Sequence, residues 1–155
     1  MSILVTGAAG FIGSNFVLNW LEKNKEKVIA LDKLTYAGNL ENLKSVEKKL
    51  NYEFVQGDIG DSNLVADLLK KHQPRAIINF AAESHVDRSI HGPDDFIQTN
   101  IIGTYRLLEE ARFFFNALRE DDKKNFRFLH VSTDEVYGTL NQTDTAFIET
   151  NRSEP

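Results

Sequence analysis

Gly7, Gly10 and Gly13 stand at every third position between the apolar run Ile3-Leu4-Val5 and an apolar-periodic stretch, and no other feature restricts the fold as strongly. Missing Cβ atoms let a chain bend tightly from strand into helix, let a phosphate approach backbone, and let the helix lie close on the sheet. The free N–H groups and dipole at the start of that helix favour an anion. Glycines needed only for packing in a strand-to-helix turn are the plainer reading. The position between strand and helix favours dinucleotide phosphate binding.

The rest of the chain continues the alternation. Strands are expected at 3–6, 28–31, 52–55, 76–80 and 127–131, and helices at 11 to about 24, 62–71 and about 93–118. Pro74 marks the break before the fourth strand. Such alternation predicts an α/β fold, a doubly wound parallel sheet of Rossmann type joined by right-handed crossovers. Five strands are legible where a complete dinucleotide-binding domain has six or more. The expectation is therefore one NAD-binding domain over 1–155, incomplete at its C-terminus, with residues 140–155 reading as a polar loop.

Asp32 closes the second strand about 20 residues after the glycine turn, where an acidic side chain bonds an adenosine ribose diol. A carboxylate there repels a 2′-phosphate and favours NAD over NADP. Lys33 works against that preference, and a carboxylate that only caps its loop is the alternative.

Composition removes other classes. A formal charge of -5 leaves no electrostatic footprint for a polyanion, so no nucleic acid partner is expected. There is no cysteine, and His72, His85, His91 and His130 lack the close pairing of a His-x-x-x-His site, so no metal is expected. No basic leader opens the chain and no apolar run approaches about 18 residues, which predicts a cytoplasmic protein without a membrane partner.

The turn Thr6-Gly7-Ala8-Ala9-Gly10-Phe11-Ile12-Gly13 resembles the extended short-chain dehydrogenase/reductase family, which contains nucleotide-sugar epimerases, dehydratases and reductases. Three further stretches are Asp32-Lys33-Leu34-Thr35-Tyr36-Ala37-Gly38-Asn39-Leu40, Ala81-Ala82-Glu83-Ser84-His85-Val86-Asp87-Arg88-Ser89 and Ser132-Thr133-Asp134-Glu135-Val136-Tyr137-Gly138. Together and in this order they resemble the dTDP-glucose 4,6-dehydratases within that family, and the likeness runs the whole length of the chain.

The resemblance implies NAD as cofactor, dTDP-glucose as the nucleotide-sugar substrate, and dehydration to a 4-keto-6-deoxy sugar. By the same likeness Phe11 and Ile12 meet the pyrophosphate beside Gly7, Gly10 and Gly13. Asp32, Lys33, Leu34 and Thr35 hold the adenosine ribose, and Asp58 and Ile59 flank adenine. Phe80, Ala81, Ala82, Glu83, Ser84 and Thr99 line the nicotinamide side. Ser84 and Thr133 hydrogen-bond the hexose, Asp134 is the acid and Glu135 the base. Most of these follow predicted strands, where open α/β sheets bind ligands.

Elimination across C5 and C6 needs one group to take the C5 proton and another to protonate the leaving hydroxyl. An acid with an unperturbed pKa of about 3.9 must hold its proton near neutrality, which a neighbouring carboxylate and a desolvated site both favour. Read from the residues alone, Asp134-Glu135 is equally an acidic loop after a strand, and Thr133 a structural threonine. Mutual salt bridging is the bland account of His85, Asp87 and Arg88. Tyr137 is expected to pack.

The resembled family pairs a tyrosine with a lysine four positions later. Here Tyr36, Tyr52, Tyr105 and Tyr137 are followed at that spacing by Leu40, Gln56, Glu109 and Asn141, so the base for C4 oxidation is missing. The expectation is that this pair and a smaller sugar-nucleotide-binding domain lie beyond residue 155, that the chain alone does not turn over, and that its sheet is left partly uncovered, an aggregation hazard. The run Phe113-Phe114-Phe115 covers too wide an arc for one sheet face. In the resembled family this helix helps build a homodimer. Competing readings are a sugar-nucleotide 4-epimerase, a dehydratase of CDP-glucose or GDP-mannose, and a non-catalytic NAD-binding protein.

Overall fold

Ile3 and Val5 point to one side of β1 (Ser2–Thr6), Leu4 points to the other, and all three are buried. A strand apolar on both faces needs cover on both, so it belongs inside a sheet flanked by two helical layers. The computed structural model, which describes residues 1–85, 90 and 92–154, has that arrangement. Val86, Asp87, Arg88, Ser89, His91 and Pro155 lie outside the described residues, and with them the expected pairing of Asp87 and Arg88.

β1 is joined by β2 (Lys27–Asp32), β3 (Tyr52–Gln56), β4 (Ala76–Asn79) and β5 (Arg127–His130). The order is β3-β2-β1-β4-β5, and every neighbouring pair is parallel. One layer holds α1 (Phe11–Lys23) and a 3₁₀ turn at Leu40–Val46, whose Val17, Leu21, Leu43 and Val46 pack with Ile3, Val5, Val28 and Ala30. The other holds α2 (Ser62–His72), whose Val65 and Leu69 pack with Leu4, Ile29 and Ile77. Asp61 caps α2 by accepting the Leu64 N–H, and Gln73 ends it in the left-handed conformation.

The helix expected at about 93–118 is interrupted. It opens as α3 (Pro93–Phe96), passes through a π turn at Ile97–Gly103, and continues as α4 (Thr104–Ala117), whose Leu107 and Ala111 join the second layer. A π turn is invisible to a 3.6-residue period because it shifts register by one residue without changing which residues are apolar. Short α5 (Glu120–Asn125) and the 3₁₀ turns at Leu40–Val46 and Asp134–Tyr137 were likewise not expected from the pattern.

The phenylalanine run splits as its arc requires. Phe114 and Phe115 meet Phe126, while Phe113 is 57% exposed beneath the Arg112 guanidinium. β5 forms one edge of the sheet, and Leu129 is half exposed on it. Between Leu140 and Glu154 the chain has neither helix nor strand, as its polar composition predicts.

At the opposite end of the sheet from the candidate site, Glu53 of β3 accepts from Lys27 at 2.6 Å and from Lys71 at 2.8 Å. These two ammonium groups hold its carboxyl down at about 2. A depressed carboxylate stabilises the fold above its ordinary range near 4.5 and loses that contribution as pH falls toward 2. With both lysines in contact with water, the contribution is about 1 kcal/mol. Urea titrations of Glu53→Gln and the native protein should therefore differ by about that amount at pH 6 and converge near pH 2. A difference independent of pH would reject the ion-pair account.

Candidate functional site

β1 and β4 are adjacent and parallel, but the chain leaves β1 for α1 on one face and leaves β4 for α3 and α4 on the other. A crevice opens at such a switch point, beyond the carboxyl ends of the strands. Two cavities lie there.

The first is floored by the glycine turn. Gly7 has φ +63, and a Cβ on it would come within 2.6 Å of backbone atoms of Phe80 and Ala81. A Cβ on Gly13 would stand 2.1 Å from the Gly7 carbonyl oxygen. The turn can therefore press α1 against the sheet only with glycine at both positions. Gly10 caps α1 without a side-chain hydrogen bond, so the first-turn N–H groups at Phe11, Ile12 and Gly13 are left for a ligand. The side chains of Phe11 and Ile12 are 83% and 59% exposed and do not line the cavity, which leaves backbone contact as their route to a phosphate.

Asp32 is only 8% exposed. Its two carboxylate oxygens accept the Ala9 and Leu34 N–H groups, each at 2.8 Å, tying the glycine turn to the loop after β2. That is the capping role, yet Asp32 also lines the cavity, and each oxygen keeps a second acceptor site for a hydroxyl. Leu34 itself adopts φ 58 and packs against the core instead of lining the cavity. Lys33 and Thr35 do line it, with Asp58 and Ile59 from the end of β3. Lys33 is paired to Asp58 at 2.8 Å, and that bond raises its pKa. Burial pushes Asp58 up, but Lys33, the Gly60 N–H and Arg106 outweigh it and hold the carboxyl below its ordinary value.

Phe80, Ala81, Ala82 and Glu83, which follow β4, close this cavity with Thr99 of the π turn. Ala81, Ala82 and Glu83 also wall the second cavity, so one short segment separates the two. Asn100 fixes that wall: its amide oxygen accepts the Glu83 N–H and its NH₂ donates to the Glu83 carbonyl, each at 2.8 Å. The π turn supplies Thr99 to one cavity and Asn100 to the other.

The second cavity is lined by Ser84, Thr133 and Glu135 together with Phe96, Asn100, Thr104 and His130. Thr133 is extended and precedes a 3₁₀ turn at Asp134–Tyr137; its hydroxyl lies 3.5 Å from the Glu135 carboxylate. Asp134 stands beside this cavity but does not line it. Asp134 and Glu135 are both exposed, so the desolvation expected around the acid must come from something other than the described residues. Tyr137 packs on Phe147 with ring centroids 5.2 Å apart, as expected.

Leu31, Ala37, Gly38 and Gly57 line the first cavity without having been singled out, as do Phe96, Asn100, Thr104 and His130 in the second. Gly57 and His130 were findable, because each sits at or just past a strand end. Asn100 and Thr104 carried no signal, since helical periodicity does not reveal a π turn.

The geometry suits a dinucleotide: free helix N–H groups, a tight turn in which a Cβ at Gly7 or Gly13 would strike backbone, and a carboxylate at the end of β2. The sequence matches the family model described as GDP-mannose 4,6 dehydratase over residues 4–155. It is 58% identical over 152 residues to dTDP-glucose 4,6-dehydratase of Xanthomonas campestris pv. campestris (strain B100), covering 98% of this chain and 43% of that protein. A dTDP-glucose 4,6-dehydratase of Streptomyces venezuelae, solved with NAD bound, superposes with TM-score 0.84 at 45% identity, covering 100% of this chain and 46% of that one. UDP-glucose 4-epimerase of Thermotoga maritima, solved with UDP-glucose, superposes with TM-score 0.79 at 32% identity, covering 100% and 45%. The chain thus spans less than half the length of these relatives.

Proposed function

The chain belongs to the GDP-mannose 4,6 dehydratase family, and from that membership we propose that it is the NAD-binding domain of a dTDP-glucose 4,6-dehydratase. The observation that carries the reading is the pair of cavities at the switch point divided by the Ala81–Glu83 wall, one built for a dinucleotide and the other holding Ser84, Thr133 and Glu135.

Backbone N–H groups at Phe11, Ile12 and Gly13 take the pyrophosphate, Asp32 the ribose diol, and Asp58 with Ile59 the adenine. Lys33 supports NAD over NADP, because its ammonium is engaged by Asp58 and so does not offset the repulsion between Asp32 and a 2′-phosphate. When bound, the nicotinamide supplies hydride acceptance from sugar C4, whose hydroxyl proton passes to a base that is not among the described residues, and hydride return to C6. Ser84 and Thr133 hold the hexose at the wall. With C4 oxidised, Glu135 removes the C5 proton and Asp134 protonates the departing C6 oxygen, so water leaves and a C5–C6 double bond forms. Hydride addition at C6 and protonation at C5 give the 4-keto-6-deoxy product.

Exposed Ile97, Ile101, Tyr105 and Leu108 recur on one side of the helix through the π turn and α4 and support a homodimer of the intact protein. Among the described residues no helix is long and apolar enough to cross a membrane.

The test is incubation of the protein encoded by the complete reading frame with dTDP-glucose and either NAD or NADP. A 4-keto-6-deoxy sugar nucleotide should form with NAD and at less than about a tenth of that rate with NADP. Formation of the C4 epimer instead would reassign the site to the epimerases, and absence of any product would reject the reading.

A further inference from the structure

Three strands end in a row of polar side chains. Thr6 of β1 is the register partner of Asn79 of β4, which in turn is the partner of His130 of β5. Partners in register share a face of the sheet, here the one that carries Leu4, Ile77 and Phe128 two residues earlier.

Asn79 is fully buried, and its bonds determine its orientation. Its Oδ1 accepts from the Thr6 hydroxyl and from the Ala81 N–H. A backbone N–H can only donate, so the amide oxygen must lie on that side and the NH₂ on the other. That NH₂ meets His130 Nδ1 at 3.0 Å. It too can only donate, so Nδ1 is the acceptor and the ring proton sits on Nε2.

His130 lines the second cavity, and its Nε2–H has no partner among the described residues. Thr104 lines the same cavity, and its hydroxyl is buried without a hydrogen-bond partner. A helical threonine ordinarily returns its hydroxyl to a carbonyl one turn back. The π turn that ends at Gly103 displaces that ladder just before Thr104. The cavity thus presents a donor whose tautomer is set from the sheet, while the Thr104 hydroxyl behind its wall is closed to solvent and so to a ligand atom.

We propose that His130 forms a subsite for one hexose hydroxyl, its Nε2–H donating to the sugar oxygen. The subsite rests on the reading of the second cavity as the sugar pocket. Asn79 and Thr6 act at one remove as positioning residues that keep the ring proton on Nε2.

The amide of asparagine reaches where Nδ1 stands, and that of glutamine reaches where Nε2 stands. In the intact protein, His130→Asn keeps an acceptor for Asn79 but has no donor in the cavity. Its KM for dTDP-glucose should rise about tenfold, the scale of one lost hydrogen bond whose partner stays unpaired, while inhibition by dTDP and affinity for NAD stay as in the native protein. His130→Gln should bring the KM back to within about threefold. Unchanged KM in His130→Asn, or an equal loss of dTDP, NAD and dTDP-glucose binding, would overturn the subsite. If the native protein binds NAD but not dTDP-glucose, the sugar-pocket reading itself falls and the subsite falls with it.

Discussion

Gly13→Ala is expected to lower NAD affinity of the intact protein by about a hundredfold or more, the equivalent of two lost charge-assisted hydrogen bonds. The new methyl would stand 2.1 Å from the Gly7 carbonyl oxygen and close to the Ala8 Cα, all backbone that no rotamer change can move aside. α1 must back away from the turn, carrying with it the first-turn N–H groups proposed to take the pyrophosphate. Overpacking of this kind costs about 1–3 kcal/mol, which lowers the melting temperature by about 2–4 °C per kcal/mol in a chain of this size. Gly10→Ala is the control for packing alone, because its Cβ would meet the Gly7 oxygen at 3.4 Å, an ordinary contact, so its melting temperature should stay native although it lies on the cavity floor. Thermal unfolding separates the two variants, and fluorescence titration gives the NAD affinity of Gly13→Ala. Native affinity in Gly13→Ala would mean that the turn does not bind the cofactor.

Substitution of the acidic pair should give the second largest effect. In the intact protein, Asp134→Asn is expected to leave C4 oxidation detectable while slowing loss of water about 10²–10⁴-fold, the range of general acid catalysis. Glu135→Gln should slow the same step comparably, but for a different reason, and solvent deuterium distinguishes them. With Asp134→Asn the C5 proton is still removed and returned, so deuterium enters C5 faster than water leaves. With Glu135→Gln that exchange is lost as well. Elimination at the native rate in either variant would remove that residue from the mechanism. The placement of Thr133 and Glu135 on the second cavity supports the base more directly than the acid, because Asp134 does not line it.

Some of this was legible in the sequence. β1 is apolar on both faces, so it had to be central, and the glycine spacing after it demanded a helix packed close on the sheet. The strand-end location of Asp32, Asp58 and Phe80 was legible too, but the sheet order and the switch point between β1 and β4 were not, because the crossover rule fixes the hand of each connection and not the side of β1 on which the next strand pairs. The π turn was not legible. It changes hydrogen-bond register but not the sequence of apolar positions, so Thr99 and Asn100 read as ordinary helix although they serve two different cavities.

Polar side chains show the same division. Asp32 was read from its spacing, but only the fold reveals that it also ties the glycine turn to the following loop. Lys33 blunted the argument for NAD over NADP in the sequence, and its pairing with Asp58, distant in the chain, is visible only in the fold. His130 drew attention only as an unpaired histidine, and its tautomer depends on Asn79, Thr6 and Ala81, three residues on two other strands and the turn beyond them. The sequence by itself determined the five strands, the main helices and their order along the chain, because periodicity and backbone freedom are local properties. Tertiary structure alone decided which ring nitrogen carries the proton, which lysine is engaged and which residues share a cavity, because each is set by a partner that chain distance conceals.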